Sequence, residues 1–311
     1  MTSGEPTPRP AGPIERRIRL STPLDLRLSL GPMVHGAAFA RTAAVGRDEA
    51  WRASRTAEGP ATTRFVLRGD EVLAQAWGPG AAVELDRAPQ VLGEDDDRGG
   101  FAPAHPLLRE LDRRMPGLRI TRSGAVLEAL VPVIMEQKVI GAEARAGYSR
   151  LLRAVSQPAP GPGSLLLPPA PERLAAMPYW AFHPFALERR RAETVMRVAQ
   201  RARWLEAGAG LELAVARARL QAIPGIGPWT AAEVAIVALG DADAVSVGDY
   251  HVPNLVSWAL AGEPRGDDAR MLELLEPYRG HRGRVVRLLE AAGMSAPRRG
   301  PRLALRHLER A

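Results

Sequence analysis

Two glycines, Gly225 and Gly227, in the run Leu220-Gln221-Ala222-Ile223-Pro224-Gly225-Ile226-Gly227-Pro228-Trp229-Thr230 constrain this chain more than any other feature. A Gly-x-Gly turn lacks Cβ atoms at two positions, so the backbone can reverse tightly and its N–H groups can approach an anion. Pro224 stops the helix before the turn, and Pro228 suits the first turn of the helix after it. Leu213, Ala216, Leu220 and Ile223 share one face of the incoming helix, and Ala231, Val234, Ala235 and Ala238 share one face of the outgoing helix. Two short amphipathic helices joined by such a turn form a unit whose usual ligand is a nucleic-acid phosphate. An isolated Asp249 follows, in Ser246-Val247-Gly248-Asp249-Tyr250-His251.

Charge is compatible with a polyanion. Basic residues outnumber acidic ones by 42 to 35, giving a net charge of +7, and Lys138 is the only lysine. A basic balance permits nucleic-acid binding without proving it, because it equally describes a solvated surface. The chain has no cysteine, which excludes disulfides, cysteine-ligated zinc and four-cysteine iron–sulfur clusters. The six histidines have no metal-ligand spacing, so no metal site built from side chains is expected. No stretch approaches the roughly 18 apolar residues of a membrane span. A soluble cytoplasmic (nucleoid-associated) protein, monomeric and without a membrane partner, is the expectation.

The organisation read along the 311 residues is α+β. Residues 1–13, rich in proline, glycine, serine and threonine, read as a disordered tail and not as a signal peptide. Residues 14–100 read as a small N-terminal mixed α/β domain. There Leu24, Leu26, Leu28 and Leu30 alternate as in a strand, and Arg68-Gly69-Asp70-Glu71 marks a hairpin. The acidic run Glu94-Asp95-Asp96-Asp97 reads as a solvated connection, and Asp241 and Asp243 as solvated too. Residues 101–297 read as an all-helical domain. It includes a helix that Pro132 should bend or locally open, a long helix over 186–205, and an irregular proline-rich loop over 157–170. Residues 298–311 read as a basic C-terminal helix or tail.

At Gly225-Ile226-Gly227-Pro228-Trp229-Thr230-Ala231 the chain resembles the helix-hairpin-helix superfamily of DNA glycosylases, in its alkylated-base (3-methyladenine, type II) branch. That branch carries Gly-Ile-Gly-x-Trp-Thr-Ala here, and Asp249 falls where the family places its catalytic aspartate. The resemblance runs from about Arg17 to Pro301 and is most specific at this motif. It implies a small α/β domain followed by a two-lobed helical domain containing the hairpin. It also implies a monofunctional glycosylase that flips an alkylated purine out of damaged double-stranded DNA, hydrolyses its N-glycosidic bond and leaves an abasic site. No cofactor is required, although a monovalent cation held by the hairpin's backbone carbonyls is possible in the family.

The resemblance assigns roles residue by residue. Gly225, Ile226, Gly227, Trp229 and Thr230 form the DNA-phosphate hairpin. Asp249 is catalytic: a carboxylate near the sugar stabilises the positive charge that develops as the bond breaks. As an ordinary helix residue it would instead be an N-cap, a role compatible with the first. Trp229 and Tyr250 are candidates for the base pocket, where an aromatic face favours a cationic base. Gln137 and Lys138 resemble the segment that enters the minor groove and fills the gap left by the flipped nucleotide. Glu233 and the stretch from Arg282 to Arg287 stand where some relatives carry further aromatics.

Two alternatives remain open at this point. One is a non-catalytic helix-hairpin-helix protein that binds DNA or senses damage; Asp249 argues against it. The other is a glycosylase for deaminated or oxidised bases. Oxidised-base relatives with lyase activity carry a lysine where this chain has Trp229, which favours the alkylation branch.

Overall fold

The computed structural model describes residues 12–37 and 40–297. Most of the expected tail and all of the expected basic C-terminal helix therefore lie outside the described residues.

An antiparallel sheet comes first. It is built from β1 (Ile14–Arg19), β4 (Ala43–Val45), β5 (Glu49–Thr56), β6 (Gly59–Arg68) and β7 (Glu71–Trp77) in the order β1-β7-β6-β5-β4. A separate two-stranded ribbon pairs β2 (Gly36–Ala37) with β3 (Ala40–Arg41). The β6–β7 turn closes with Arg68 opposite Glu71, and Gly69 takes a φ of 64° there. Alternation along β7 buries Val72, Ala74 and Ala76. These residues pack with Phe65 against α1 (Leu26–Leu30) and α2 (Ala81–Val91).

The leucine run at 24–30 forms a helix and not the expected strand. Asp25 caps it, its carboxylate accepting from Leu28 N at 3.0 Å, and Leu26 and Leu30 are buried one turn apart. The cap supplied the stop and start that period-2 alternation hid.

Beyond the sheet the described chain is helical, in two hydrophobic clusters. One gathers α4 (Val126–Glu136), α5 (Gly141–Val155), α6 (Pro171–Ala176), α7 (Arg189–Gln200), α8 (Ala202–Glu206), α9 (Leu213–Gln221) and α10 (Pro228–Val234). The other gathers α3 (Pro106–Arg114), α11 (Val252–Ala261), α12 (Asp268–Leu275) and α13 (Arg282–Ala291). The loop before α11 crosses between them: Ala244 belongs to the first cluster, while Val245, Val247 and Val252 belong to the second. Asp249 sits on that crossing.

Other expectations need correction. The helix expected over 186–205 is two helices, α7 and α8, parted at Arg201 with φ −109° and ψ 16°. Its start is displaced as well, because Ala186 is left-handed at φ 62°. The break turns Ala202 and Leu205 into the core beside Val195 and Val198. Helix α4 runs unbroken through Pro132.

The acidic residues are structural, not merely solvated. Asp96 takes both Nη atoms of the fully buried Arg284, at 2.9 and 2.5 Å, and Glu94 pairs with Arg119 at 2.5 Å. Asp241 is buried against Arg217 at 2.5 Å, and Asp243 holds Arg282 by two hydrogen bonds of 2.9 and 2.6 Å. Breaking a buried pair by removing one partner typically costs about 3–5 kcal/mol, a range that fits the fully buried Asp96–Arg284 pair.

Candidate active site

The hairpin comprises α9, the turn at residues 222–227, and α10. Only one of its two glycines is conformationally required. Gly225 has φ +101°, and a Cβ there would run into the Thr194 side chain on α7. Gly227 is extended (φ −93°, ψ −179°) at the N-terminus of α10, and a Cβ there would meet nothing within 4 Å. Ile226 points the other way and is 5% exposed, anchoring the turn in the core. Thr230 is buried beneath it.

Gln137 ties a second segment to this turn. It caps the C-terminus of α4, and its Nε2 donates to Gly225 O at 3.1 Å and to Thr230 Oγ1 at 2.8 Å. Lys138 follows in the left-handed conformation, φ 58°, and is exposed at the turn between α4 and α5. Thus Gln137 faces the hairpin while Lys138 faces outward.

Three carbonyls of the turn have donors within the protein. Ile223 O accepts from Ile226 N at 3.0 Å, Pro224 O from the Arg197 guanidinium at 3.4 Å, and Gly225 O from Gln137. Each oxygen keeps acceptor capacity beyond that donor, and no step below passes through a cation.

Asp249 is held by three N–H groups. Oδ1 accepts from the backbone of His251 at 2.6 Å and of Val252 at 2.8 Å, so the carboxylate caps α11. Oδ2 accepts from Trp229 Nε1 at 2.8 Å. The cap expected of Asp249 is present, and it fixes the side chain while leaving it half-buried at the junction of the two clusters. Trp229 presents its N–H edge to the carboxylate, a contact that the expectation of a stacking face did not include. Tyr250 is 80% exposed, with its ring edge-on to His251 at 5.0 Å.

A second contact lies one helical turn further along α10. Glu233 joins Ser246 through a short hydrogen bond, as Trp229 joins Asp249. The two contacts bridge the same helix and the same loop. Beyond them, where Ala235–Leu239 forms a π-helical turn, lies a cavity of about 230 Å3. π-turns interrupt helices most often at functional sites. Glu136, Arg145, Glu233, Ser246, Arg287 and His35 are among its lining residues. Desolvation pushes the Glu233 carboxyl up to about 7 and holds the half-buried His35 down at about 4.

Sequence reasoning singled out Glu233 only as a departure from the aromatic pattern. Its spacing from Trp229, i to i+4 on one helix, was the available signal. His35 and Arg145 come from distant segments and left no such trace. Among the described residues no group of three His, Asp or Glu could hold a metal ion, and no helix is long and apolar enough to cross a membrane.

No protein-family model matches the chain. A probable bifunctional transcriptional activator/DNA repair enzyme AlkA of Mycobacterium tuberculosis is 32% identical over 170 residues, which cover 54% of this chain and 33% of that protein. The match thus spans about a third of the length of this curated relative. The solved 3-methyladenine DNA-glycosylase from Archaeoglobus fulgidus superposes with a TM-score of 0.71 at 18% identity, covering 88% of this chain and 97% of that one. The chain shares the fold of that solved structure. A further solved structure, MBOgg1 in complex with a low-affinity DNA ligand, has a TM-score of 0.70 at 17% identity and covers 90% and 96% of the two chains. Likeness at these identities establishes the fold.

Proposed function

We propose that this protein is a monofunctional DNA glycosylase that removes alkylated purines of the 3-methyladenine type from duplex DNA. The observation that carries the reading is the Asp249 carboxylate, fixed by three N–H donors beside the glycine hairpin. Support also comes from the sequence relative named as a DNA repair enzyme AlkA and from the Archaeoglobus fold neighbour named as a 3-methyladenine glycosylase.

In this reading residues 14–100 and 101–297 are the N-terminal and catalytic domains, the latter divided into two helical lobes with the active site between them. The hairpin at Gly225, Ile226, Gly227 and Thr230 grips phosphate. The Gln137–Lys138 turn enters the minor groove, with Lys138 at its exposed tip filling the gap left by the flipped nucleotide. Asp249 lies near the sugar, and Trp229 and Tyr250 border the entrance for the base.

As the C1′–N bond breaks, its electron pair leaves with the base and a cationic purine departs neutral. The sugar takes up the positive charge, and the carboxylate opposite stabilises it. Water then adds to C1′ and gives its proton to solvent, leaving an abasic strand. No organic cofactor enters. Trp229 in place of a lysine in the hairpin favours hydrolysis over strand cleavage through a Schiff base.

The test is to incubate the purified protein with duplexes carrying alkylated, deaminated or oxidised bases and to identify what is released. Free 3-methyladenine with an intact, alkali-labile strand is expected. Release of no base would overturn the reading in favour of a DNA-binding protein. A borohydride-trapped complex lost in Lys138→Ala would overturn its monofunctional part.

A further inference from the structure

The cavity behind the Glu233–Ser246 contact has an unbalanced charge. Three carboxyl groups line it, Glu136 at the end of α4, Glu233 on α10 and Glu290 on α13. Two of them have cations. Arg287 pairs with Glu290 at 2.7 Å, and Arg145 on α5 acts on Glu136 against the effect of burial. Among the described residues Glu233 has no cationic partner: Ser246 holds one oxygen, and Glu290, Asp249 and Glu136 repel it. The remaining ionisable neighbour, His35, is half-buried and kept neutral by desolvation. A half-buried, desolvated carboxyl with a pin but no counter-ion is complementary to a positive charge that arrives from outside.

Position and size narrow what that charge belongs to. Glu233 is one turn from Trp229, whose indole holds Asp249, and Ser246 lies three residues before Asp249 on the same loop. Glu233 and Ser246, which line the cavity, therefore stand on the same helix and the same loop as the Trp229–Asp249 pair. At about 230 Å3 the cavity is below the roughly 300–1,000 Å3 of pockets for drug-sized ligands, a scale suited to a single base.

We infer that Glu233 is a specificity-determining residue that selects a positively charged base, its carboxylate supplying the counter-ion once the base is extruded. The inference rests on the glycosylase reading and deepens it. An acidic wall would thus replace the additional aromatic faces used by some relatives.

The consequence is a pH dependence with a defined sign. Below about 7 the half-buried Glu233 carboxyl is protonated and offers a cation only a neutral partner; above it the carboxylate attracts the cation. Excision of a cationic lesion therefore rises as pH climbs through neutrality, whereas that of a neutral lesion lacks this rise.

The experiment compares single-turnover release of 3-methyladenine (cationic) and hypoxanthine (neutral) from duplexes across the neutral pH range. It uses the full chain and Glu233→Gln, which keeps the shape and can still bond to Ser246. The preference for 3-methyladenine over hypoxanthine should fall about tenfold in the variant at alkaline pH, as expected for loss of one charge-assisted contact, and its pH-dependent rise should vanish. An unchanged preference in a folded Glu233→Gln overturns the inference. So do parallel pH profiles for the two lesions in the parent protein, a result that needs no variant to fold. A parent protein that releases neither these nor any other damaged base fails at the earlier step and takes the glycosylase reading with it.

Discussion

Trp229 Nε1 donates to Asp249 Oδ2 at 2.8 Å, joining the first turn of α10 to the residue that caps α11. The two helices belong to different hydrophobic clusters, so this hydrogen bond spans their junction. It also gives each carboxylate oxygen its own task. Oδ1 is committed to the backbone of α11, and Oδ2 is oriented by the indole.

Asp249→Asn separates charge from shape. The amide oxygen can still cap α11, but its NH2 group then faces the indole N–H, so the Trp229 contact is lost together with the negative charge. Electrostatic stabilisation of this kind is typically worth about 3–4 kcal/mol, so single-turnover excision should fall by roughly two to three decades. Affinity for a duplex carrying an abasic-site analogue should change much less. Excision at the parental rate on every substrate would place the active site elsewhere.

Trp229→Phe removes the N–H while keeping an aromatic face. If the indole acts chiefly by orienting Asp249, excision should slow about tenfold, in line with a hydrogen bond to a charged group worth about 1.5–3 kcal/mol less the remaining restraint from the α11 cap. All lesions should be affected alike. A loss confined to cationic lesions would instead assign the ring to base stacking, and single-turnover rates on 3-methyladenine and hypoxanthine distinguish the two.

The two hairpin glycines should respond differently to the same change. Gly225→Ala combines a φ of +101° with a collision against Thr194 and should destabilise the fold by about 1–3 kcal/mol, read as a lower unfolding midpoint. Gly227→Ala meets open space and should leave the midpoint nearly unchanged. It should weaken binding to damaged and undamaged duplexes equally, because its Cβ intrudes only on an approaching phosphate. Equal destabilisation by both substitutions would contradict this division of labour.

What could be read from the sequence was local. The hairpin, its flanking helices and Asp249 declare themselves within some thirty residues through turn glycines, helix-compatible prolines and apolar spacing. The β6–β7 turn did so through Arg68-Gly69-Asp70-Glu71. Local patterns also misled where a cap or a break was decisive: Asp25 made a helix of the alternating leucines, and the left-handed Ala186 and the break at Arg201 divided one arginine-rich stretch.

Tertiary structure alone decided which polar groups meet. Asp96 pairs with Arg284 across 188 positions, Gln137 reaches Gly225 across 88, and His35 arrives beside Glu233 from the other end of the chain. No periodicity encodes such encounters. A carboxylate's partners are set by packing between helices, and the same Asp or Glu can be solvated, paired, or left with a pin and no counter-ion. Sequence by itself determined the glycine turn and the position of the carboxylate that follows it, because backbone geometry and capping act within a few residues. The orientation of Asp249 by Trp229 and the unbalanced charge on Glu233 exist only once α10 and the loop before α11 are packed together, because hydrogen bonding and desolvation depend on what surrounds a group in space.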